Sequence, residues 1–528
     1  MQTANFRLQA HRGAARRCPE NTMAAFRCAA AQGYDVIELD LAHTRDGEIV
    51  VLHDPTVNRT ARQPDGTPLP AETRIADLTY AEAARLDFGV AHDIRFRGER
   101  IPRFRDVLIW ARETGIRLKI DHKIQGESDA FRARLIAMLR ETQAPVSITA
   151  ATVEFAAEMH RRLPDVPIEY DGPVTEAALA ALRTFLPRSA LTVWLPLACA
   201  ATRWVKTPCV EAESAALVRR YAQLGLWTIC GADDCARAAA FSPDIVETDG
   251  SVLPVHTGRP MDMHTHSHHS HDSQCAIPDM AAAAAARGLA GFAVTDHCDT
   301  DEFARLDLAG NAAAAVAEVR ATAAPVRIRA GIEMGEAIRH PAVAAAVLAR
   351  TRYDVVLGSV HAVRLPGHED PYSQIDFAAM PQSTVDAFMA QYFADVQKMA
   401  ETCDFDVLAH LTCPLRYFNA TQMRVDAHDY APQIRGILQT IIRRAIALEI
   451  NTSPFRTGKT ETMPDRWIVV LYRDLGGEWI TLGSDAHTAA HCGIGFAETV
   501  AWLRATGFRY ALDYENRVPI AYALPGCT

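Results

Sequence analysis

Short apolar runs recur along the whole chain, separated by longer stretches in which apolar positions return every three or four residues. The runs have strand length and the longer stretches have a helical period. In the first half, the runs predict strands at Val36–Asp40, Ile49–Leu52, Leu118–Asp121, Ser147–Ala150, Pro167–Tyr170, Leu226–Cys230 and Ile245–Thr248, with one more ending at His11. Thr22–Gln32 predicts a helix stopped by Gly33. Residues 54–100, rich in Pro, Gly and charge, read as a long excursion, and long excursions in compact domains tend to carry function.

Residues 250–260 hold two Pro and two Gly without periodicity and read as a linker. The alternation then restarts, predicting strands at Gly291–Thr295, Val326–Glu333, Val355–Ser359, Val407–Ala409, Ala447–Asn451 and Ile480–Gly483, and a helix at Ile277–Arg287 ending at Gly288. Alternating strands and helices indicate an α/β class. With 528 residues, more than one core is expected, and the linker divides the chain into domains at 1–257 and 258–528.

Composition narrows the chemistry. The net charge is −10, with no run of Lys or Arg, which argues against a nucleic-acid-binding surface but leaves small phosphorylated substrates open. The N-terminus has no apolar leader, and the alanine-rich stretches are too short to span a bilayer, so no stable membrane association is expected. The 12 cysteines are scattered and read as reduced thiols, and together these features predict a cytoplasmic protein. They assign no oligomeric state.

Polar, ligand-type residues gather at the predicted strand ends, where barrel enzymes place their chemistry. His11-Arg12-Gly13 closes the first strand and Pro19-Glu20-Asn21-Thr22 opens the first helix. Glu38 and Asp40 alternate on one strand and so share a face. His53-Asp54 follows the next run, and Asp121 and Lys123 alternate at the end of a later one. Three carboxylates can hold a hard divalent cation, two histidines can divide acid and base work, and Arg12 and Lys123 can hold phosphate oxygens.

This ordered set resembles the glycerophosphodiester phosphodiesterase family over roughly residues 5–255. The resemblance extends to Leu226-Trp227-Thr228 and Glu247-Thr248-Asp249 near the end. It implies a TIM (β/α)8 barrel, His11 and His53 as the acid–base pair, and Glu38, Asp40 and Asp121 as ligands of Mg²⁺ or Ca²⁺. The family usually carries Glu at the position of Asp121, and a carboxylate one methylene shorter can still reach a cation.

The second half begins Asp262-Met263-His264-Thr265-His266, with His264 and His266 facing the same way on an extended strand, and Asp272 follows. Later strand ends supply His297, Glu333, His361, His410, Asp485 and His487. Imidazole combined with carboxylate suits Zn²⁺, Fe²⁺ or Mn²⁺, and several such ions would clamp phosphate oxygens. The strings around these residues, with Arg416-Tyr417 and Glu449-Ile450-Asn451-Thr452-Ser453, resemble the polymerase and histidinol phosphatase (PHP) family, and most of all its histidinol-phosphatase branch. The resemblance covers about residues 260–515 and implies a distorted (β/α)7 barrel with two or three metals. One metal would have His264, His266, Glu333 and Asp485; a second would share Glu333 and add His361 and His410; a third would take Asp272, His297 and His487. Arg416 joins the phosphate-binding residues. His268, His269 and His271 match no ligand position and read as solvated or supporting.

The leading expectation is a bifunctional hydrolase. The first half would cleave glycerophosphodiesters to sn-glycerol 3-phosphate and an alcohol. The second would hydrolyse a phosphomonoester, either histidinol phosphate or a small sugar or polyol phosphate such as glycerol 3-phosphate. The alternative is a histidinol-phosphatase of histidine biosynthesis whose first half is a binding or regulatory module.

Overall fold

The computed structural model describes residues 6–198, 209–301, 307–368, 370–418 and 425–527. The chain forms two compact units, Met1–Pro254 and Val255–Thr528.

The first unit is a closed barrel of parallel strands: Arg7–Ala10, Val36–Leu39, Arg117–Ile120, Val146–Ala150, Ile168–Tyr170, Leu191–Pro196, Gln223–Ile229 and Ile245–Thr248. The last strand pairs back to the first through Arg7 and Ile245, so the sheet has no edge and the expected TIM barrel is present. The helix Met23–Gln32 starts where the sequence indicates: the Thr22 side chain accepts from the Ala25 amide, and Gly33 ends the helix at φ 91°.

The strand expected at Ile49–Leu52 is present as Ile49–Val51 but lies outside the barrel. Ile49–Val51 pairs antiparallel with Leu41–His43 in a separate two-stranded ribbon. A parallel partner requires a crossover of about a dozen residues or more, and only a short turn through Gly47 (φ 78°) joins these strands. The excursion after it has its own small core, including Val50, Val57, Ile75, Phe88 and Ile101. The strand Leu191–Pro196 was not predicted, because prolines at 187 and 196 bracket its apolar run and mask it as loop.

The second unit has a parallel sheet in chain order: Met261–Thr265, Gly291–Val294, Arg327–Gly335, Val355–Ser359, Val407–Leu408, Ala447–Asn451 and Ile480–Gly483. The short strand His297–Asp299 adds to the side of Arg327–Gly335. A bridge between Thr265 and Ala486, with the His266 amide donating to Ala486 O at 2.8 Å, nearly closes the sheet into the expected seven-stranded barrel. An antiparallel hairpin, Tyr510–Glu515 and Val518–Ala523, packs at the C-terminal end and was not predicted. Val255–His256, inside the expected linker, pairs with this hairpin. Asp513 on the hairpin receives both Nε and Nη2 of Arg329, at 3.0 and 2.7 Å, a bidentate pair that fixes it to a barrel strand.

Among the described residues no helix is long and apolar enough to cross a membrane. Among the described residues ten cysteines are free thiols, whereas Cys209 is disulfide-bonded, which corrects the expectation of a reduced thiol there. Spacing along a chain does not contain the spatial distance that decides pairing.

Candidate functional site

In the first unit the barrel strands end in a layer of charge. Arg12 lies just beyond the first strand at φ 60°, followed by Gly13 at φ 83°, so the chain turns sharply inward there. This turn aims the Arg12 amide at Glu38 Oε2 (3.0 Å) and brings His11 Nε2 to 3.9 Å from the same oxygen. Asp40 is buried; it accepts hydrogen bonds from Asn21 Nδ2 at 2.9 Å and Lys123 Nζ at 2.5 Å, and Arg12 Nε stands 3.3 Å away as an ion pair. The two cations assigned to phosphate therefore flank one carboxylate. Asp121 caps the turn His122–Gly126 by accepting the Lys123 amide, and its other oxygen is 3.2 Å from His122 Nδ1.

Burial, and then Asp40, Glu247 and Asp121, push the Glu38 carboxyl well above the ordinary carboxylate range. Mutually repelling buried carboxyls of this kind are the donor set that a hard divalent cation relieves, so these residues fit Mg²⁺ or Ca²⁺. Burial is also the main cause lowering the pKa of His11, which favours the neutral imidazole. His53 Nδ1 lies 2.6 Å from Asp54 Oδ1. Asp54 is held by Arg59 Nε at 2.6 Å, and Arg59 also grips both oxygens of Glu20 at 2.7 and 2.8 Å.

Sequence reasoning missed several members of this layer. Lys119 Nζ contacts Glu247 Oε2 at 3.2 Å and stands 4.0 Å over the Trp194 ring, while Trp194 Nε1 donates to Glu169 at 2.9 Å. The period-two relation of Lys119 to Asp121 on one strand was a usable signal. Arg59, inside the excursion, had none.

The second unit centres on Glu333, which is wholly buried. Its Oε2 lies 2.9 Å from His297 Nδ1, 3.4 Å from His264 Nε2 and 3.7 Å from His266 Nε2. Its Oε1 lies 2.8 Å from His410 Nε2 and 3.1 Å from His361 Nε2. Asp485 Oδ1 is 3.4 Å from His266 Nε2 and 3.5 Å from His487 Nδ1. Asp272 Oδ2 meets His487 Nε2 at 2.9 Å and His297 Nε2 at 3.4 Å. The structure thus brings all nine residues of the expected ligand set together, with His266 also joining the group of Asp272, His297 and His487.

These atoms fit divalent metals better than they fit one another. Glu333 Oε2 and His297 Nδ1 are buried without a hydrogen bond, and the Nε2 atoms of His264 and His266 face each other at 3.1 Å. Burial alone would raise the Glu333 carboxyl; His297, His361 and His264 outweigh it and hold Glu333 well below its ordinary value. Burial, reinforced by His487 and His297, holds His266 far below its usual pKa, so it presents a lone pair.

Two carboxylates outside the expected set orient these ligands. Glu449 Oε1 is 2.7 Å from His264 Nδ1, and its other oxygen accepts the His410 amide at 2.7 Å. Asp299 Oδ1 is 2.9 Å from His361 Nδ1. Each leaves Nε2 free for a metal, the usual work of a carboxylate behind a ligating histidine. Arg416 Nη1 and Arg456 Nη2 lie 4.0 and 3.7 Å from Asp485 Oδ2; Arg456 was not anticipated. His268 and His269 turn away to Glu318, and the His271 ring lies 5.2 Å from that of His297.

Residues 262–453 match the family model described as the PHP domain. A probable histidinol-phosphatase of Thermotoga maritima is 30% identical over 268 residues, covering 49% of this chain and 98% of that protein. The chain belongs to the PHP family through its second half. Residues 11–220 match the model of the glycerophosphoryl diester phosphodiesterase family, so the PHP domain follows a half similar to a second family of phosphoric ester hydrolases. A glycerophosphodiester phosphodiesterase of Caldanaerobacter subterraneus subsp. tengcongensis is 44% identical over 98 residues, covering 19% of this chain and 37% of that protein. The chain thus spans well under half the length of that relative. Among solved structures, the histidinol phosphate phosphatase of Lactococcus lactis, complexed with Zn, L-histidinol and phosphate, aligns with the PHP half at a TM-score of 0.41 and 22% identity, covering 49% of this chain and 98% of that one.

Proposed function

We propose that the chain is a bifunctional metal-dependent hydrolase of small phosphorylated compounds. Its first unit would cleave glycerophosphodiesters to sn-glycerol 3-phosphate and an alcohol, and its PHP domain would hydrolyse a phosphomonoester. One observation carries this reading: each unit gathers carboxylates and histidines at its strand ends, around the buried Glu38 and Asp40 in the first and around the buried His264, His266, Glu333, His410 and Asp485 in the second.

In the first unit Glu38, Asp40 and Asp121 would hold Mg²⁺ or Ca²⁺, and in the PHP domain the nine residues around Glu333, Asp485 and Asp272 would hold two or three of Zn²⁺, Fe²⁺ or Mn²⁺; bound there, these ions neutralise phosphate charge and activate water. His11, kept neutral by burial, is the proton acceptor. His53, its Nδ1 fixed by Asp54, presents Nε2 to the leaving alcohol. Arg12 and Lys123, both beside Asp40, would hold the phosphate in the first unit, and Arg416 and Arg456, both beside Asp485, would hold it in the PHP domain.

A second reading keeps the PHP domain as a histidinol-phosphatase, supported by the relative that it matches over 98% of that protein's length. The full chain, stripped and reloaded with defined metals, distinguishes the two when supplied separately with a glycerophosphodiester, glycerol 3-phosphate and histidinol phosphate. Release of glycerol 3-phosphate from the diester supports the bifunctional reading. Hydrolysis of histidinol phosphate alone, with the diester left intact, favours the second.

A further inference from the structure

The loop after the strand Met261–Thr265 carries two histidines that the PHP centre does not use. Backbone bonds shape this loop: the His268 amide donates to Cys275 O at 2.9 Å and the Ser270 amide to Ser267 O at 2.9 Å. The His269 amide donates to Ser267 Oγ at 3.2 Å, and that hydroxyl donates to the buried Asp296 at 2.7 Å. In an extended strand, neighbouring side chains diverge. Here the turn sets the His268 and His269 rings side by side, with centroids 4.3 Å apart. Both direct Nε2 to the same oxygen of Glu318, at 3.3 and 2.8 Å. Glu318 comes from the helix Leu308–Ala321, so two separate elements build the cluster.

We propose that His268, His269 and Glu318 form a peripheral binding site for a divalent transition metal. Their three ligand atoms lie within 4.8 Å of one another, and none of the three residues contributes to the inner groups. Ligand atoms around a tetrahedral Zn²⁺ stand about 3.3 Å apart, from bond lengths of about 2.0–2.2 Å. The His–Glu separations already approach that spacing, so coordination needs only small side-chain shifts. Two imidazoles with one carboxylate select Zn²⁺ and its neighbours over Mg²⁺ or Ca²⁺. The side chains of His268 and Glu318 are 40% and 33% exposed, against 0% for Glu333, so this ion exchanges with solvent and binds more weakly than the inner ones.

The test counts metal on the full chain. Wild type, His268→Ala/His269→Ala and Glu318→Gln are stripped with a chelator, dialysed against rising free Zn²⁺ and measured by plasma mass spectrometry. At low free Zn²⁺ all three should hold the same inner complement. At higher free Zn²⁺ wild type should take up about one further equivalent that both variants lack, while phosphomonoester hydrolysis by the variants is unchanged. A further equivalent retained by both variants, or absent from wild type, overturns the proposal. So does loss of inner equivalents from both variants, because the cluster would then be a support of the PHP centre rather than a site.

Discussion

Glu333 meets five imidazoles with two oxygens, more than any other carboxylate among the described residues of the PHP domain. Glu333→Ala is expected to remove more than one equivalent of bound metal and to abolish phosphomonoester hydrolysis, since a bridging carboxylate sets the spacing of a metal pair. Retention of the full complement, counted by plasma mass spectrometry, would contradict the bridging role. In the first unit His53→Ala and His11→Ala should each lower diester hydrolysis by roughly 10²–10⁴-fold, the worth of positioned acid–base catalysis, and leave monoester hydrolysis intact. Steady-state rates on both substrates check this, and losses below about tenfold for both variants would remove the acid–base assignment.

Gly483 shows how an element serves a residue. It ends the strand Ile480–Gly483 beside His264 and Glu449, and a Cβ there would meet the Glu449 carboxylate and stand 2.8 Å from His264 Cβ. Gly483→Ala is therefore expected to displace the carboxylate that orients His264, lowering metal affinity more than fold stability. Metal titration compared with urea unfolding separates the two effects, and a variant with wild-type affinity would show that the strand end tolerates the methyl group. In the first unit Arg59 holds Asp54 within the excursion and ties it to Glu20 in the segment before the first helix. Burial opposes ionisation of both carboxyls, but Arg59, with His53 on Asp54 and Arg12 on Glu20, lowers each to about 2. Carboxyls in the unfolded chain titrate near 4. The folded values lie lower, so the pairing stabilises the protein above about pH 4 and this contribution fades as pH falls towards about 2. Arg59 is half exposed, so solvent screening keeps the contribution modest. The urea midpoints of wild type and Arg59→Ala should differ near neutral pH and converge in acid; a constant difference would contradict the linkage.

At the scale of the molecule, the two units carry different donor sets and should part company in their metals. Chelation is expected to abolish both activities. Mg²⁺ or Ca²⁺ should restore only diester hydrolysis, which rests on oxygen ligands, and Zn²⁺, Fe²⁺ or Mn²⁺ should restore monoester hydrolysis, which rests on imidazole. Recovery of both activities with Mg²⁺ alone would count against the proposed division. The product of the proposed first reaction is also a phosphomonoester, so the two proposed activities would act as consecutive cleavages. Release of inorganic phosphate from a diester by wild type, lost in either His53→Ala or Glu333→Ala, would show that sequence.

The sequence alone determined where chemistry can sit. The strand-end strings around His11, Glu38, His264, Glu333 and Asp485 are local, because a barrel places every strand end on one rim and the ligands need no long-range information to be recognised. The expected nine-residue donor set was legible for the same reason. Only the tertiary structure decided what lies behind the ligands. Glu449 reaches His264 across 185 positions, and Lys119 reaches Glu247 across 128. Arg59 and Glu318 come from a loop and a helix whose own patterns carry no sign of a partner. Tertiary structure also sent the run at Ile49–Leu52 out of the barrel and brought the hairpin Tyr510–Ala523 against Arg329. Hydrophobic period reports which face of an element is buried, but not what it is buried against.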